Sequence, residues 1–164
     1  MLRHSPLNNY DKSNLDTSIS GGHKDLTLNI EDIDFIQIAD TYYFNINLPY
    51  TQNTRSLENL ISYLNQLIEN WISCVEDLKK DKCTYLPFDL SDEYVGFLKI
   101  DQNSEFDVLI SYGYSTSCVG YNINPLECKN KFFNDNEFEN ITESFKKKKE
   151  LFIKELKTSF IINK

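Results

Sequence analysis

Residues 56–80 read SLENLISYLNQLIENWISCVEDLKK. Leu57, Leu60, Ile61, Leu64, Leu67, Ile68, Trp71, Ile72, Val75 and Leu78 recur at intervals of three, four and seven. That spacing gathers them on one side of an α-helix of about seven turns. Ser56 is placed to cap the first turn through its hydroxyl. Glu58 stands where the helix dipole favours an acid, and Lys79 and Lys80 where it favours cations. The apolar stripe is wide, so it needs a large apolar cover. Most of the remaining chain is strand-like, and a sheet is the expected cover.

On the N-terminal side, Tyr42, Phe44, Ile46 and Leu48 alternate with Tyr43, Asn45 and Asn47, the pattern of a half-buried strand that Pro49 ends. Leu26, Leu28 and Ile30 also alternate with polar residues, as Ile33 does with Phe35. Ile36 and Ile38 follow out of phase, which predicts a bulge or two short strands. Residues 1–24 are rich in Ser, Asn and Asp, include Gly21-Gly22 and show no apolar period. They read as a flexible arm ahead of a single domain over residues 25–164.

On the C-terminal side, residues 81–93 read as a connection, because Pro87 argues against a central strand. Residues 94–100 predict a strand, and residues 101–104 its turn. Phe106, Val108, Ile110, Tyr112 and Tyr114 give the clearest alternation in the chain. Residues 118–123 predict a further strand, closed by Asn124-Pro125. Asn136 with Glu139 predicts a capping box opening the last helix. Phe138, Ile141, Phe145, Phe152, Leu156 and Phe160 would share one face of it, with Lys146–Lys149 mostly on the other. The order β-β-α-β-β-β-α implies an α+β fold, an antiparallel sheet of about five strands with two long helices packed on it.

The 164 residues carry 25 acids and 17 bases, a net charge of −8. Between Asp25 and Leu78 the acids Asp25, Glu31, Asp32, Asp34, Asp40, Glu58, Glu69, Glu76 and Asp77 face a single base, Arg55. This balance argues against nucleic acid and against an anionic membrane surface as ligands. It permits a basic protein partner. There is no run of about 18 apolar residues, so nothing is expected to span a membrane. Residues 1–24 lack the apolar core of a signal peptide, and a cytoplasmic address is the expectation. Cys74, Cys83, Cys118 and Cys128 are then expected as free thiols, with a secreted disulfide framework as the alternative their even number allows.

Catalytic equipment is sparse. His4 and His23 are the only histidines and both lie in the arm, so a His-centred triad in the domain would need the arm to fold back. The cysteines have no close pair, as a structural zinc site would require. Gly113-Tyr114-Ser115-Thr116-Ser117 lacks the second glycine of a serine elbow. Glu31-Asp32-Ile33-Asp34 is the densest acidic cluster. On one strand face Asp32 and Asp34 could hold a divalent cation, although a solvated face is the simpler reading. Asp89, Asp92 and Glu93 form a second acidic group. The expectation is therefore no catalytic residue, no cofactor and no metal, but a binding surface. Glu31, Asp32, Asp34, Asp89, Asp92 and Glu93 would steer a partner, with Tyr42 and Tyr94 as aromatic anchors. Tyr43, Tyr112 and Tyr114 are anchors of the same kind, and half-buried sheet packing is the ordinary role of all five.

In size, charge and element order, residues 25–164 resemble bacterial immunity proteins of contact-dependent growth inhibition and related polymorphic-toxin systems. No residue motif carries the resemblance, so no family site is transferred. It implies a stoichiometric inhibitor of a cognate toxin domain, basic and often a nuclease, acting as a monomer or homodimer. The alternatives are a small acidic secretion chaperone, which would hold an unfolded segment, and a carboxylate-dependent enzyme.

Overall fold

The computed structural model describes residues 2–3, 24–40, 57–127 and 132–158. The helix α1 spans Leu57–Glu76. Its core face is Tyr63, Leu64, Leu67, Ile68, Trp71, Cys74 and Val75, all buried, with Ile72 and Leu78 half-buried. From Leu64 on, the periodic stripe is therefore the buried one, widened by Tyr63 and Cys74. The helix ends four residues before Lys80. The N–H of Leu78 donates to the Val75 carbonyl at 3.2 Å, a tighter turn than the α-helix allows. Asp81 then takes a left-handed φ of 60°. Lys79 and Lys80 are exposed and are not the cations at this terminus. Lys149 is. Its Nζ donates to the carbonyls of Glu76 (3.1 Å) and Leu78 (2.8 Å) and to Gln102 Oε1 (2.9 Å).

Among the described residues three strands precede the helix: β1 (Leu2–Arg3), β2 (Lys24–Ile30) and β3 (Phe35–Asp40). They form an antiparallel sheet in that order. Two strands joined by a hairpin do form here, but they part at Glu31–Asp34 and not at the phase change, which lies inside β3 because Ile36 and Ile38 are apolar residues on its exposed face. Glu31–Ile33 make a 3-10 turn, Asp34 closes it in the left-handed region (φ 49°), and Phe35 falls opposite Ile30. Beyond the turn, Phe35, Gln37 and Ala39 face inward, and Ile36 and Ile38 face outward. Leu2 and Arg3, in the stretch read as an arm, pair with Ile30 and Asn29. The rest of that arm and the strand expected over residues 42–48 lie outside the described residues.

The main sheet is antiparallel and five-stranded: β4 (Lys82–Leu90), β5 (Val95–Gln102), β6 (Asp107–Ser115), β7 (Glu139–Asn140) and β8 (Phe145–Lys148). Its order is β4-β5-β6, with β7 on one end of β6 and β8 on the other. With α1 and α2 (Lys149–Thr158), the fold is α+β. Trp71, Leu86, Leu98, Ile100, Val108, Ile110, Phe152 and Leu156 belong to one continuous core.

Three expectations fail here. The connection over residues 81–93 is mostly β4. Pro87 is tolerated because β4 is an edge strand and its register shifts between Pro87 and Asp89. Residues 85–90 are all buried, since the sheet is covered on both faces. Tyr112 meets Phe35 on one side (ring centroids 5.0 Å), and Tyr85 meets Phe133 (4.7 Å) and Phe138 (5.1 Å) on the other. A strand covered twice loses its alternation and reads as an unbroken apolar run. Residues 118–123 form bends and a turn, not a strand, and the Gly120 N–H donates to the Ser91 carbonyl at 2.6 Å.

The last helix does not begin at Asn136. The capping box belongs to Asn134 and Glu137 and serves only the 3-10 turn Asp135–Glu137. Residues 145–148 then alternate as a strand. Phe145 and Lys147 are half-buried, while Lys146 and Lys148 point out and grip Asp107 at 3.1 and 2.8 Å. The lysine run has a period of two.

Among the described residues no helix is long and apolar enough to cross a membrane. Cys83 and Cys118 are free thiols, but Cys74 is disulfide-bonded, which corrects the expectation of free thiols throughout. Disulfides persist in oxidising compartments, so cysteine usage gives no support to a cytoplasmic address.

Candidate functional site

The acids pooled in the sequence separate into two places. Side-chain contacts track β3 across the main sheet. Asp32, in the turn before β3, bonds Lys147 on β8; Phe35 stacks near Tyr112 on β6; Gln37 bonds Asp89 on β4. From β8 to β4 is three strand spacings, about 14 Å at ~4.8 Å each. Glu31, Asp32 and Asp34 thus sit over one edge, and Asp89 at the other.

The first group is a turn, not a strand face, so Asp32 and Asp34 do not present a shared pair of carboxylates. Glu31 and Asp34 are exposed. Asp32 accepts from Lys147 Nζ at 2.7 Å, and Glu155 of α2 accepts from the same amine at 2.7 Å. The hydrogen bond from Lys147 holds the Asp32 carboxyl below the usual carboxylate range. Burial pulls the Lys147 ammonium down, but its bonds to Asp32 and Glu155 outweigh that and leave it above the usual lysine value. Within the lysine run, Lys147 is a counter-charge to Asp32, while Lys146 and Lys148 pair with Asp107. Among the described residues no group of three His, Cys, Asp or Glu side chains could hold a metal ion.

The second group contains the densest arrangement of predicted site residues. Asp89 is only 6% exposed. Its Oδ2 accepts from the Tyr94 hydroxyl at 3.0 Å and from Gln37 Nε2 at 2.8 Å. Asp89 is therefore a support under the surface rather than a charge upon it, a correction to its expected role. Burial and the adjacent Asp89 carboxylate push the Tyr94 phenol up to about 12. Tyr94 meets Tyr114 edge to face, with ring centroids 5.7 Å apart. The Tyr114 hydroxyl donates to Glu139 Oε2 at 2.7 Å, and that bond raises its proton affinity.

The turn carrying Asp92 and Glu93 is fixed by Ser91. Its Oγ accepts from the N–H groups of Glu93 (3.2 Å) and Tyr94 (3.0 Å) and donates to the Tyr94 carbonyl (3.0 Å). Both acids are exposed. Two half-buried tyrosines are thus held at one end of the sheet with Asp92, Glu93 and Glu139 nearby. Tyr42, the other predicted anchor, lies outside the described residues.

Two glycines make the patch sterically possible. A Cβ on Gly96 would collide with the Tyr112 hydroxyl, which is fully buried and has no hydrogen-bond partner among the described residues. Burial and the nearby Asp89 carboxylate raise the Tyr112 phenol. A Cβ on Gly113 would collide with the Glu139 carbonyl, so Gly113 lets β7 bring Glu139 beside Tyr114.

The sequence did not single out Gln37 or Glu139 as site residues. Gln37 had no clear signal, because the alternation of Ile36 and Ile38 reads as if they, and not Gln37, faced inward. Glu139 had none, because it was placed in a helix. The described residues also form a groove of about 410 Å³ between α1 and α2, lined by Ile68, Ile72 and Leu156 with Asn65, Glu69 and Lys157. None of the predicted site residues lines it. No protein-family profile matches this chain, and neither a curated protein nor a solved structure matches it.

Proposed function

We propose that this chain is a non-enzymatic acidic binding protein that receives a basic protein partner at the Tyr94–Tyr114 patch. The supporting observation is the patch itself. Two tyrosines sit edge to face, tethered by Asp89 below and Glu139 beside, and Ser91 fixes the turn that carries Tyr94 and the exposed acids Asp92 and Glu93. Tyrosines supply large rigid contact area at low entropic cost, and their ring faces attract Lys and Arg. Acids at the rim steer a basic partner toward them. Within this class the reading best supported is a stoichiometric inhibitor of a basic toxin domain, the role of an immunity protein. The acidic balance of the chain favours it.

Calorimetric titration against a basic domain encoded beside this chain in its native genome is the test. The expected result is one-to-one binding, weakened about tenfold or more by Tyr94→Ala, with inhibition of that domain's activity saturating at equimolar protein. Binding only of unfolded segments, or full affinity in Tyr94→Ala and Tyr114→Ala, would overturn the reading.

A further inference from the structure

We propose that the disulfide of Cys74 joins α1 to Cys128 and makes the tyrosine patch redox-dependent, the oxidised chain being the form in which the turn carrying Tyr94 is held. This rests on the reading of the Tyr94–Tyr114 patch as the binding surface and adds its regulation.

The pairing follows by elimination. The chain has four cysteines. Cys74 is disulfide-bonded, while Cys83 and Cys118 are free thiols. Cys128, outside the described residues, is the one that remains. A link between residues 74 and 128 closes a long loop, and long loops lose the most freedom in the unfolded chain. The free thiols are poor exchange partners for it. Cys118 is buried, and burial together with the Glu137 carboxylate pushes its thiol up to about 11. Burial raises the Cys83 thiol as well. Little of either is thiolate at neutral pH, and the thiolate is the attacking form.

A path runs from the bridge to the patch. Cys74 is buried in the last turn of α1. The 3-10 turn Pro125–Glu127 packs on α1 and β4, with Ile123 and Pro125 buried and Leu126 half-buried. Residues 116–127 contain no strand and no α-helix. Their backbone bonds include short local ones, from the Asn122 N–H to the Val119 carbonyl (2.9 Å) and from the Glu127 N–H to the Asn124 carbonyl (3.0 Å). A segment of this kind opens at low free-energy cost unless it is tied down. The Gly120 N–H donates to the Ser91 carbonyl at 2.6 Å, and Ser91 Oγ in turn accepts from the N–H groups of Glu93 and Tyr94.

Opening the bridge takes a dithiol. Two electrons and two protons pass from it to the Sγ–Sγ bond, which breaks to give two thiols while the reductant closes as a disulfide. The segment is then held to α1 by packing alone, and the Gly120–Ser91 bond passes the loosening to the turn of Tyr94.

The first test is peptide mapping of the full chain, alkylated and digested without reduction. Glu127 lies between Cys118 and Cys128, so cleavage at glutamate and lysine separates them. A Cys74–Cys128 peptide is expected, with the alkyl label on Cys83 and Cys118. Dithiothreitol should then lower the melting temperature by about 10 °C. Well below that temperature, it should quicken amide exchange at Gly120, Glu93 and Tyr94 about tenfold or more, and at Leu98 and Ile100 of β5 much less. Cys74→Ala should do the same without reductant; if that variant does not fold, the reduced parent carries the test. Cys74 bonded to a second copy or to another cysteine, or not bonded at all, would overturn the proposal. So would an opened bridge that leaves exchange at Gly120 and Tyr94 unchanged, or that quickens it equally throughout the domain. Either result leaves the patch as a binding surface. Full affinity of Tyr94→Ala for the basic domain, by contrast, removes the patch and leaves the exchange result standing.

Discussion

Asp32 and Asp89 both tie the β2–β3 hairpin to the main sheet, and they do it by opposite means. Asp32 sits at the hairpin turn with its side chain 37% exposed, and its tie is an ion pair with Lys147. Asp89 sits across the sheet, 6% exposed, and its carboxylate accepts from neutral donors, the Gln37 amide and the Tyr94 phenol. Two acids that look alike in sequence therefore have different energetic standing. An exposed ion pair gains little, because water and salt screen it. A buried acceptor that satisfies half-buried donors is costlier to remove, because those donors then lose their partner where water reaches them poorly.

The largest effect should come from Asp89→Ala. With the carboxylate gone, the Tyr94 hydroxyl and the Gln37 amide lose an acceptor in the core, and stability should fall by about 3 kcal/mol. Asp89→Asn keeps an acceptor oxygen but adds an amide donor, and about half of that loss is expected. Urea denaturation midpoints measure both. If Asp89→Ala costs no more than Asp32→Ala, the contrast between the two ties is wrong.

Next comes Lys147→Met. The Lys147 side chain is 11% exposed and serves Asp32 and Glu155 together. Methionine keeps most of the packing but leaves two partly buried carboxylates without their cation, at about 1–2 kcal/mol. The Lys147→Met penalty should exceed that of Asp32→Asn, because Glu155 as well as Asp32 is left facing the gap. A penalty equal to that of Asp32→Asn would mean that Lys147 matters to stability only through the exposed pair.

The core was legible in the sequence where one element buries one face. The stripe of α1 has a single period and appears as read from Leu64 on; the alternation of β6 holds only over Asp107–Ile110, because residues 110–113 are all buried and Phe106 is exposed. Legibility failed where burial is two-sided, as in β4, whose residues 85–90 give no alternation. It failed again where the period is short, since Lys146–Lys149 fits a helix face as readily as a strand followed by a helix start. The binding surface was legible in part. Tyr94, Asp92 and Glu93 are near one another, but burial separates Asp89 from the surface acids, and only β4's position could reveal that. The capping of α1 by Lys149 was illegible, because nothing in sequence links residues that meet only after the sheet forms.

A smaller effect is expected from acid. Lys147 holds Asp32 below the unfolded carboxylate value. A group depressed in the folded state stabilises it above the unfolded pKa of about 4, and the contribution is lost as pH falls through the folded value. Asp107, held at about 2 by Lys148 and Lys146, acts in the same sense. Comparison with Asp32→Asn isolates the first. Because Asp32 is over a third exposed, the difference between parent and variant should be only a few tenths of a kcal/mol at neutral pH. It should vanish toward pH 2. A gap that widens on acidification would reverse the sign assigned to this pair.

The smallest effect on stability should belong to the exposed acids of the two turns, and they sharpen the contrast most. Glu31→Gln with Asp34→Asn changes the hairpin turn, and Asp92→Asn with Glu93→Gln changes the turn beside Tyr94. Asparagine tolerates the left-handed backbone at residue 34 about as well as aspartate does, and all four side chains are exposed. Each pair should move stability by no more than about 0.5 kcal/mol. Association with a basic partner should respond differently. Exposed acids act through a field that ordinary salt screens over about 8–10 Å, and the two turns are further apart than that. Charge removal near the contact should therefore slow association and flatten its salt dependence, while removal at the distant turn should do so weakly. If the Tyr94 patch is the principal contact, the Asp92/Glu93 pair slows association more than the Glu31/Asp34 pair. Equal slowing by the two pairs places the hairpin turn within the contact as well. An on-rate unchanged by both, measured by stopped flow at low and high salt, would remove charge steering from the binding mechanism and leave the tyrosines as its only support.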